Sequence, residues 1–193
     1  IVVRGAPQKF VVADMPFLSV RQGLPAAMEA VGRLMRAGTH AVKIEGVDGH
    51  ADIVRHIVQS GVPVMGHLGL TPQSVHALGG YHVQGKSNAA KIVTDAKKLE
   101  DAGCFSLVLE CVPAGLAREI TESVSIPTIG IGAGNATDGQ VLVLNDLLGL
   151  TSGVKPRFLR IFMDGKKLMQ DAIASYVRAV QNGEFPNDIE SYN

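Results

Sequence analysis

Short apolar runs alternate along this chain with longer stretches in which apolar residues recur every three or four positions. The runs "FVVADMP", "AVKIEG", "VPVMGHLGL", "SLVLECVP" and "IPTIGIGAG" are rich in Val and Ile and are bounded by Gly or Pro. Continuous apolar runs of that length predict strands of a buried parallel sheet. The stretches between them have a helical period. In "PAAMEAVGRLMRAG" Ala27, Met28, Val31, Leu34 and Met35 share one face, and Gly38 stands where the helix stops. "ADIVRHIVQSG" places Ile53, Val54, Ile57 and Val58 on one face before Gly61, and "AAKIVTDAKKLEDAG" ends the same way at Gly103. A last helix is predicted over 166–182, with Leu168, Ile173, Tyr176, Val177 and Val180 together, then Gly183 and Pro186. It reads as a C-terminal packing helix. A weaker sixth strand is predicted near "NDLLGL".

One unit recurs. Residues 34–45, "LMRAGTHAVKIE", and 99–110, "LEDAGCFSLVLE", coincide at Leu, Ala, Gly and Glu when one is shifted by 65. Each reads helix end, glycine stop, buried strand and glutamate at the strand tip, as repeated βα units would. Strand–helix alternation predicts an α/β fold with a parallel sheet. Polar residues close several strands: Asp14, Glu45, His67, Glu110 and the glycines of "GIGAG". A closed (β/α)8 TIM barrel gathers all such ends at one mouth, whereas an open doubly wound sheet concentrates them at one crevice. Polar tips on at least four strands favour the barrel. A full barrel typically takes about 250 residues, so the expectation is a single barrel domain over 1–193 with its first one or two βα units absent.

"GGYHVQGKS" has the glycine and Lys-Ser spacing of a phosphate-binding P-loop. Such a loop needs a strand running straight into its first glycine. Here "TPQSVHALGG" intervenes, with Thr71 as helix cap and Pro72 at the first helical position, so Gly80 follows a short helix. The match is accidental, and nucleotide binding is not expected.

Composition narrows the class further. Hydrophobic residues make up 46% of the chain, and eighteen basic residues balance eighteen acidic ones without a basic run. That is a globular protein with no implied nucleic-acid or membrane partner. No apolar stretch approaches the ~18 residues of a membrane span, and no signal peptide is seen. Cys104 and Cys111 lie apart from any second Cys pair or His cluster, which predicts reduced structural thiols and a cytoplasmic setting.

The strand period then sorts the polar residues. Side chains alternate in direction along a strand. In "AVKIEG" Lys43 and Glu45 share one side, and Val42 and Ile44 the other. In "SLVLEC" Glu110 shares its side with Val108 and Ser106, and Asp14 shares its face with Val12 and Phe10. If the apolar set meets the helices, four ionisable groups turn inward. Buried charges are costly unless paired or bound to a ligand or metal. A structural salt bridge from Lys43 to Glu45 or Glu110 is the plain alternative for any one of them. Asp14 and Glu45 are hard oxygen donors suited to Mg²⁺. His67 at a strand tip reads as a support or a catalyst, and the other histidines as structural or solvent-facing.

"VVADMPF", "AVKIEG", "GHLGLTPQSV", "GGYHVQGK", "VLECVP" and "IPTIGIGAGNATDGQVLV" together resemble the ketopantoate hydroxymethyltransferase family, from "RGAP" to the final helix. The resemblance implies a (β/α)8 barrel and a homo-oligomer, typically a decamer. It implies hydroxymethyl transfer from 5,10-methylenetetrahydrofolate to 3-methyl-2-oxobutanoate, giving 2-dehydropantoate on the way to pantothenate. It assigns Asp14 as a magnesium ligand that also touches substrate, Lys43 as a keto-acid-binding residue and Glu45 as a metal partner. Glu110 becomes the proton-accepting base and His67 a support. The family also carries an earlier strand ending in Val-Gly-Asp-Ser, and that motif does not occur in this sequence. "GAGNATDG" is a candidate folate loop, its glycines permitting close approach. Two rivals are a Mg²⁺-dependent enolate enzyme of the phosphoenolpyruvate mutase or isocitrate lyase type, and a non-catalytic assembly subunit.

Overall fold

A computed structural model describes residues 1–153 and 155–192. The chain forms two compact units, Ile1–Val141 and Leu142–Asn193. The first opens with a short helix α1 (Val2–Gly5) and then alternates as its hydrophobic pattern predicts. In order come β1 (Val12–Asp14), α2 (Leu24–Arg36), β2 (Ala41–Glu45), α3 (Ala51–Gln59), β3 (Val64–Gly69), α4 (Ala89–Asp101), β4 (Ser106–Glu110), α5 (Ala114–Ser123), β5 (Thr128–Ile131) and β6 (Gly139–Gln140). The second unit holds α6 (Leu144–Leu147) and α7 (Gly165–Gln181).

All six strands are parallel and lie in sequence order, β1-β2-β3-β4-β5-β6. A doubly wound sheet reverses its strand order at a switch point, and this one does not. The sheet curls as a half-barrel, and among the described residues β1 and β6 are not paired with each other. Among the described residues six strands form this half-barrel, and a complete eight-stranded barrel is not shown.

Helices cover one face of the sheet. Val42, Ile44, Val64, Leu107 and Leu109 point into a core shared with Val31, Val54, Ile57, Leu99 and Ile120. Full burial of each such side chain is worth about 1.5–3 kcal/mol. Gly66 on β3 is part of this packing, since a Cβ there would stand 2.8 Å from Leu99 Cδ1. The predicted helix stops also form: Gly38, Gly61 and Gly103 all have positive φ.

Three sequence expectations meet the fold here. "NDLLGL" is not a strand; Leu144–Leu147 is helical, and the sixth strand is Gly139–Gln140. The Leu144, Leu147 and Leu148 spacing is a helical one. β6 is fixed instead by Asp138, whose Oδ2 accepts from Thr128 N at 2.8 Å and Thr128 Oγ1 at 3.0 Å. The last helix forms at Gly165–Gln181 and buries only Gly165; Leu168, Ile173, Tyr176 and Val177 on its apolar face are exposed. The P-loop reading fails as expected, because β3 ends at Gly69 and the 3-10 turn Pro72–Ser74 lies before Gly80.

Candidate active site

The unpacked face of the sheet carries the polar strand ends. On β2, Val42 and Ile44 are buried in the core, while Lys43 and Glu45 occupy the opposite face, half-buried. On β4, Leu107 and Leu109 take the helix side, which turns Glu110 inward. The alternation read from the sequence is thus the alternation in the fold.

Register then sets which tips meet. Asp14 lies opposite Lys43, Lys43 opposite Met65, and Glu45 opposite His67; Glu110 lies opposite Gly69, one inward step beyond His67. Lys43 Nζ contacts Asp14 Oδ1 at 2.7 Å and His67 Nδ1 at 3.0 Å. The far nitrogen of the same ring, Nε2, is 3.2 Å from Glu110 Oε2. A line of contacts Asp14–Lys43–His67–Glu110 therefore crosses four strands. Glu45 stands beside it, with Oε1 3.9 Å from His67 Nδ1. His67 is 2% exposed and Glu45 and Glu110 are 10% and 17%, whereas Asp14 is 64% exposed. All five residues singled out in the sequence share one neighbourhood.

Two contributors were not foreseen. Gln73, on the turn after β3, donates its backbone N–H to Glu45 Oε2 (2.9 Å) and its Nε2 to Met15 O (2.9 Å). It ties the loop after β1 to the tip of β2. An N–H in the first turn of a helix has no partner within the turn, so Pro72 was the available signal that Gln73 N was free. Cys111, which follows the base candidate, has φ +48. Its N–H donates to Ile131 O and its carbonyl accepts from Gln84 N, both at 2.9 Å. Burial first, and then the Glu110 charge, push its thiol up.

Gly69 has φ +92, and a Cβ there would lie 2.2 Å from Glu110 O. That close approach lets Leu70 N donate to Glu110 O at 2.8 Å. A cavity of about 220 Å³ opens beside Glu45, lined by Met15, Phe17, Leu18, Gln73 and Ala77 among others. The "GAGNATDG" loop is internally bonded: Gln140 Nε2 donates to Gly134 O (2.9 Å) and Thr137 Oγ1 (2.8 Å). Gly134 also packs on α5, where a Cβ would meet Ala114 Cβ at 2.5 Å. Gly134 thus serves the packing of the loop on α5.

Among the described residues no group of three His, Cys, Asp or Glu side chains is arranged to hold a metal. The two carboxylates Asp14 and Glu45 remain. Magnesium commonly takes one or two protein carboxylates and completes its shell with water and substrate oxygens. The donor set fits that regime and not a closed protein cage.

Fold and site define a singly wound parallel α/β protein whose carboxylates, lysine and histidine gather at the carboxyl ends of its strands. Comparison with known proteins makes this specific. A ketopantoate hydroxymethyltransferase family model matches residues 1–188. A 3-methyl-2-oxobutanoate hydroxymethyltransferase from Bdellovibrio bacteriovorus is 57% identical over 194 residues, covering 100% of this chain and 74% of the relative. The enzyme of that name from Coxiella burnetii is 53% identical over 96% of this chain and 71% of its own length. The chain belongs to the ketopantoate hydroxymethyltransferase family. Among solved structures, a putative phosphonomutase from Burkholderia cenocepacia J2315 aligns with TM-score 0.53 at 14% identity, over 94% of this chain and 72% of that one. At that identity the likeness concerns the fold alone.

Proposed function

We propose that this hydroxymethyltransferase moves a one-carbon unit from 5,10-methylenetetrahydrofolate to 3-methyl-2-oxobutanoate with Mg²⁺ bound, using Glu110 as base. The carrying observation is the convergence of Lys43, His67 and Glu110, linked at 3.0 and 3.2 Å, in a chain 57% identical to a relative of that name.

The acidic proton of 3-methyl-2-oxobutanoate is on C3, next to the keto carbon. Glu110 takes it, and the C–H electrons move into an enolate. One C–N bond of the folate's methylene bridge opens to leave an iminium, water adds to its carbon, and the second C–N bond breaks, which releases tetrahydrofolate and a formaldehyde equivalent. The enolate carbon attacks that carbonyl carbon, its C=O electrons move to oxygen, and the oxygen takes up the proton to give the hydroxymethyl group on C3. A positioned base of this kind contributes about 10²–10⁴ in rate. Lys43 places a fixed positive charge where negative charge grows on the keto oxygen, and a preorganised charge in a half-buried site acts strongly. An ammonium has three N–H donors. Asp14 and His67 engage two, and the third serves the keto acid.

Asp14 and Glu45 would hold the cation. Bound there, Mg²⁺ supplies Lewis-acid stabilisation of the keto oxygen worth several kcal/mol. Three carboxylates facing one ammonium support a cationic ligand at this mouth. A homo-oligomer is supported by the exposed apolar residues Leu168, Ile173 and Tyr176 of α7, which a second copy would cover. A cytoplasmic setting is supported by the free thiols of Cys104 and Cys111. Among the described residues no helix is long and apolar enough to cross a membrane.

The test is product formation from 3-methyl-2-oxobutanoate, with and without 5,10-methylenetetrahydrofolate. Folate-dependent appearance of 2-dehydropantoate is the expected result. Proton exchange at C3 with no folate-dependent product would assign the chain to another class of enolate enzyme. No Mg²⁺-dependent binding of the keto acid would assign it to a non-catalytic subunit.

A further inference from the structure

We propose that His67 is a positioning residue for the Glu110 base, held by Lys43 in the ring tautomer that carries its proton on Nε2. The proposal rests on the reading that Glu110 removes the C3 proton, and it concerns what aims that carboxylate.

Lysine settles the tautomer. An ammonium donates and has no lone pair to accept with. At the 3.0 Å contact between Lys43 Nζ and His67 Nδ1, the ring nitrogen therefore presents its lone pair. Lys43 also contacts Asp14 Oδ1 at 2.7 Å, which engages a second of its donors. A neutral imidazole with Nδ1 accepting has its hydrogen on Nε2. That nitrogen is buried, and Glu110 Oε2 at 3.2 Å is the acceptor in reach. The pair is within hydrogen-bonding distance but not aligned as a hydrogen bond, as catalytic contacts commonly are before substrate binds. A buried N–H left without an acceptor is costly, and a small turn of the Glu110 carboxylate removes that cost. His67 thereby holds Oε2 and leaves Oε1 to face the substrate.

A histidine that merely fills the sheet interior would have no need of this arrangement. Its replacement would cost stability, whichever nitrogen the replacement imitated. A positioning role is asymmetric. His67→Gln can place an amide N–H near the Nε2 position and keep a donor on Glu110. His67→Asn reaches only as far as Nδ1 and loses it.

Exchange of the C3 proton of 3-methyl-2-oxobutanoate in D₂O, followed by NMR with Mg²⁺ and without folate, reads the base step alone. We expect His67→Asn to slow exchange about 10²-fold, the scale of a misplaced catalytic group. His67→Gln should stay within about 10-fold of the unmodified enzyme, and keto-acid affinity should change little in either. Full exchange in His67→Asn, equal losses in both variants, or a loss of affinity in place of rate would overturn the proposal. Nitrogen NMR of ¹⁵N-histidine-labelled unmodified enzyme tests the tautomer without any variant. Protonated Nε2 and bare Nδ1 are expected at His67, and the reverse pattern would overturn the assignment. Glu110→Gln separates the two readings. If it exchanges at the unmodified rate, the base itself is misassigned; if it alone fails to exchange, the base stands and His67 does not aim it.

Discussion

The tips of β2, β3 and β4 differ from the tip of β1 in how many neighbours hold them. Glu45 is braced by the Gln73 amide, His67 lies between Lys43 and Glu110, and Glu110 has its carbonyl fixed by Leu70 N. These three strands have a paired strand on each side. β1 is an edge strand of three residues, and Asp14 at its end is 64% exposed, with Lys43 as its ion-pair partner. A central strand fixes its tip through two ladders, while an edge strand fixes it through one. Among the described residues the tips of β2, β3 and β4 are thus the braced ones and the tip of β1 the looser one.

The largest test addresses the braced side. Glu110→Gln keeps the shape of the tip and removes the basic oxygen, so turnover should fall about 10²–10⁴-fold. Affinity for 3-methyl-2-oxobutanoate, measured by calorimetry, should hardly move, because binding is assigned to Lys43 and the cation. Unchanged turnover would remove Glu110 from the base role.

Next comes Gly69→Ala, which attacks the brace rather than the chemistry. The new Cβ would stand 2.2 Å from Glu110 O and 2.7 Å from Val112 Cγ1, at φ +92. Positive φ and overpacking together predict a loss of about 2–4 kcal/mol in denaturant unfolding, and turnover should fall with it as the Glu110 tip shifts. Normal stability in this variant would show that the central tips yield as readily as the edge.

Asp14→Asn probes the loose side. An ion pair this exposed contributes less than about 1 kcal/mol, so thermal stability should stay near its starting value. The Mg²⁺ concentration needed for keto-acid binding should rise about 10-fold or more, as expected when a metal partner is lost. Removing Mg²⁺ with a chelator should abolish that binding in the unmodified protein. A large stability loss with unchanged Mg²⁺ dependence would make Asp14 a structural residue and reverse the contrast between edge and centre.

How much of this could be read from residues alone follows from the same contrast. Period-two alternation was enough to separate Lys43 and Glu45 from Val42 and Ile44, and Glu110 from Leu107 and Leu109, because the apolar set has a core to meet. It also placed His67 at a tip. It could not show that His67 bridges Lys43 and Glu110, since cross-strand register is set by the assembled sheet. Gln73 escaped because its contribution to Glu45 is a backbone N–H, which Pro72 marks as free without naming its acceptor. The two-residue β6 escaped because a strand that short has no period, and its anchor is the Asp138–Thr128 pairing. The helical face of α7 was legible, but periodicity names a face and not what covers it.

The smallest effect falls on the thiol beside the base. Cys111 sits half-buried directly after Glu110; burial raises its thiol, and the Glu110 charge raises it further. Cys104 is pushed up to about 12 by burial alone. Alkylation proceeds through the thiolate, so its rate follows the fraction ionised. Glu110→Gln deletes the second cause at Cys111 and leaves the first, which lowers the thiol partway towards its ordinary value. At about pH 8, below the ordinary thiol range, a lower value means more thiolate. Iodoacetamide labelling of Cys111 should therefore quicken, by less than about 10-fold, while Cys104 provides an unchanged internal control. Equal labelling of Cys111 in variant and parent would mean that Glu110 carries no charge there or points away.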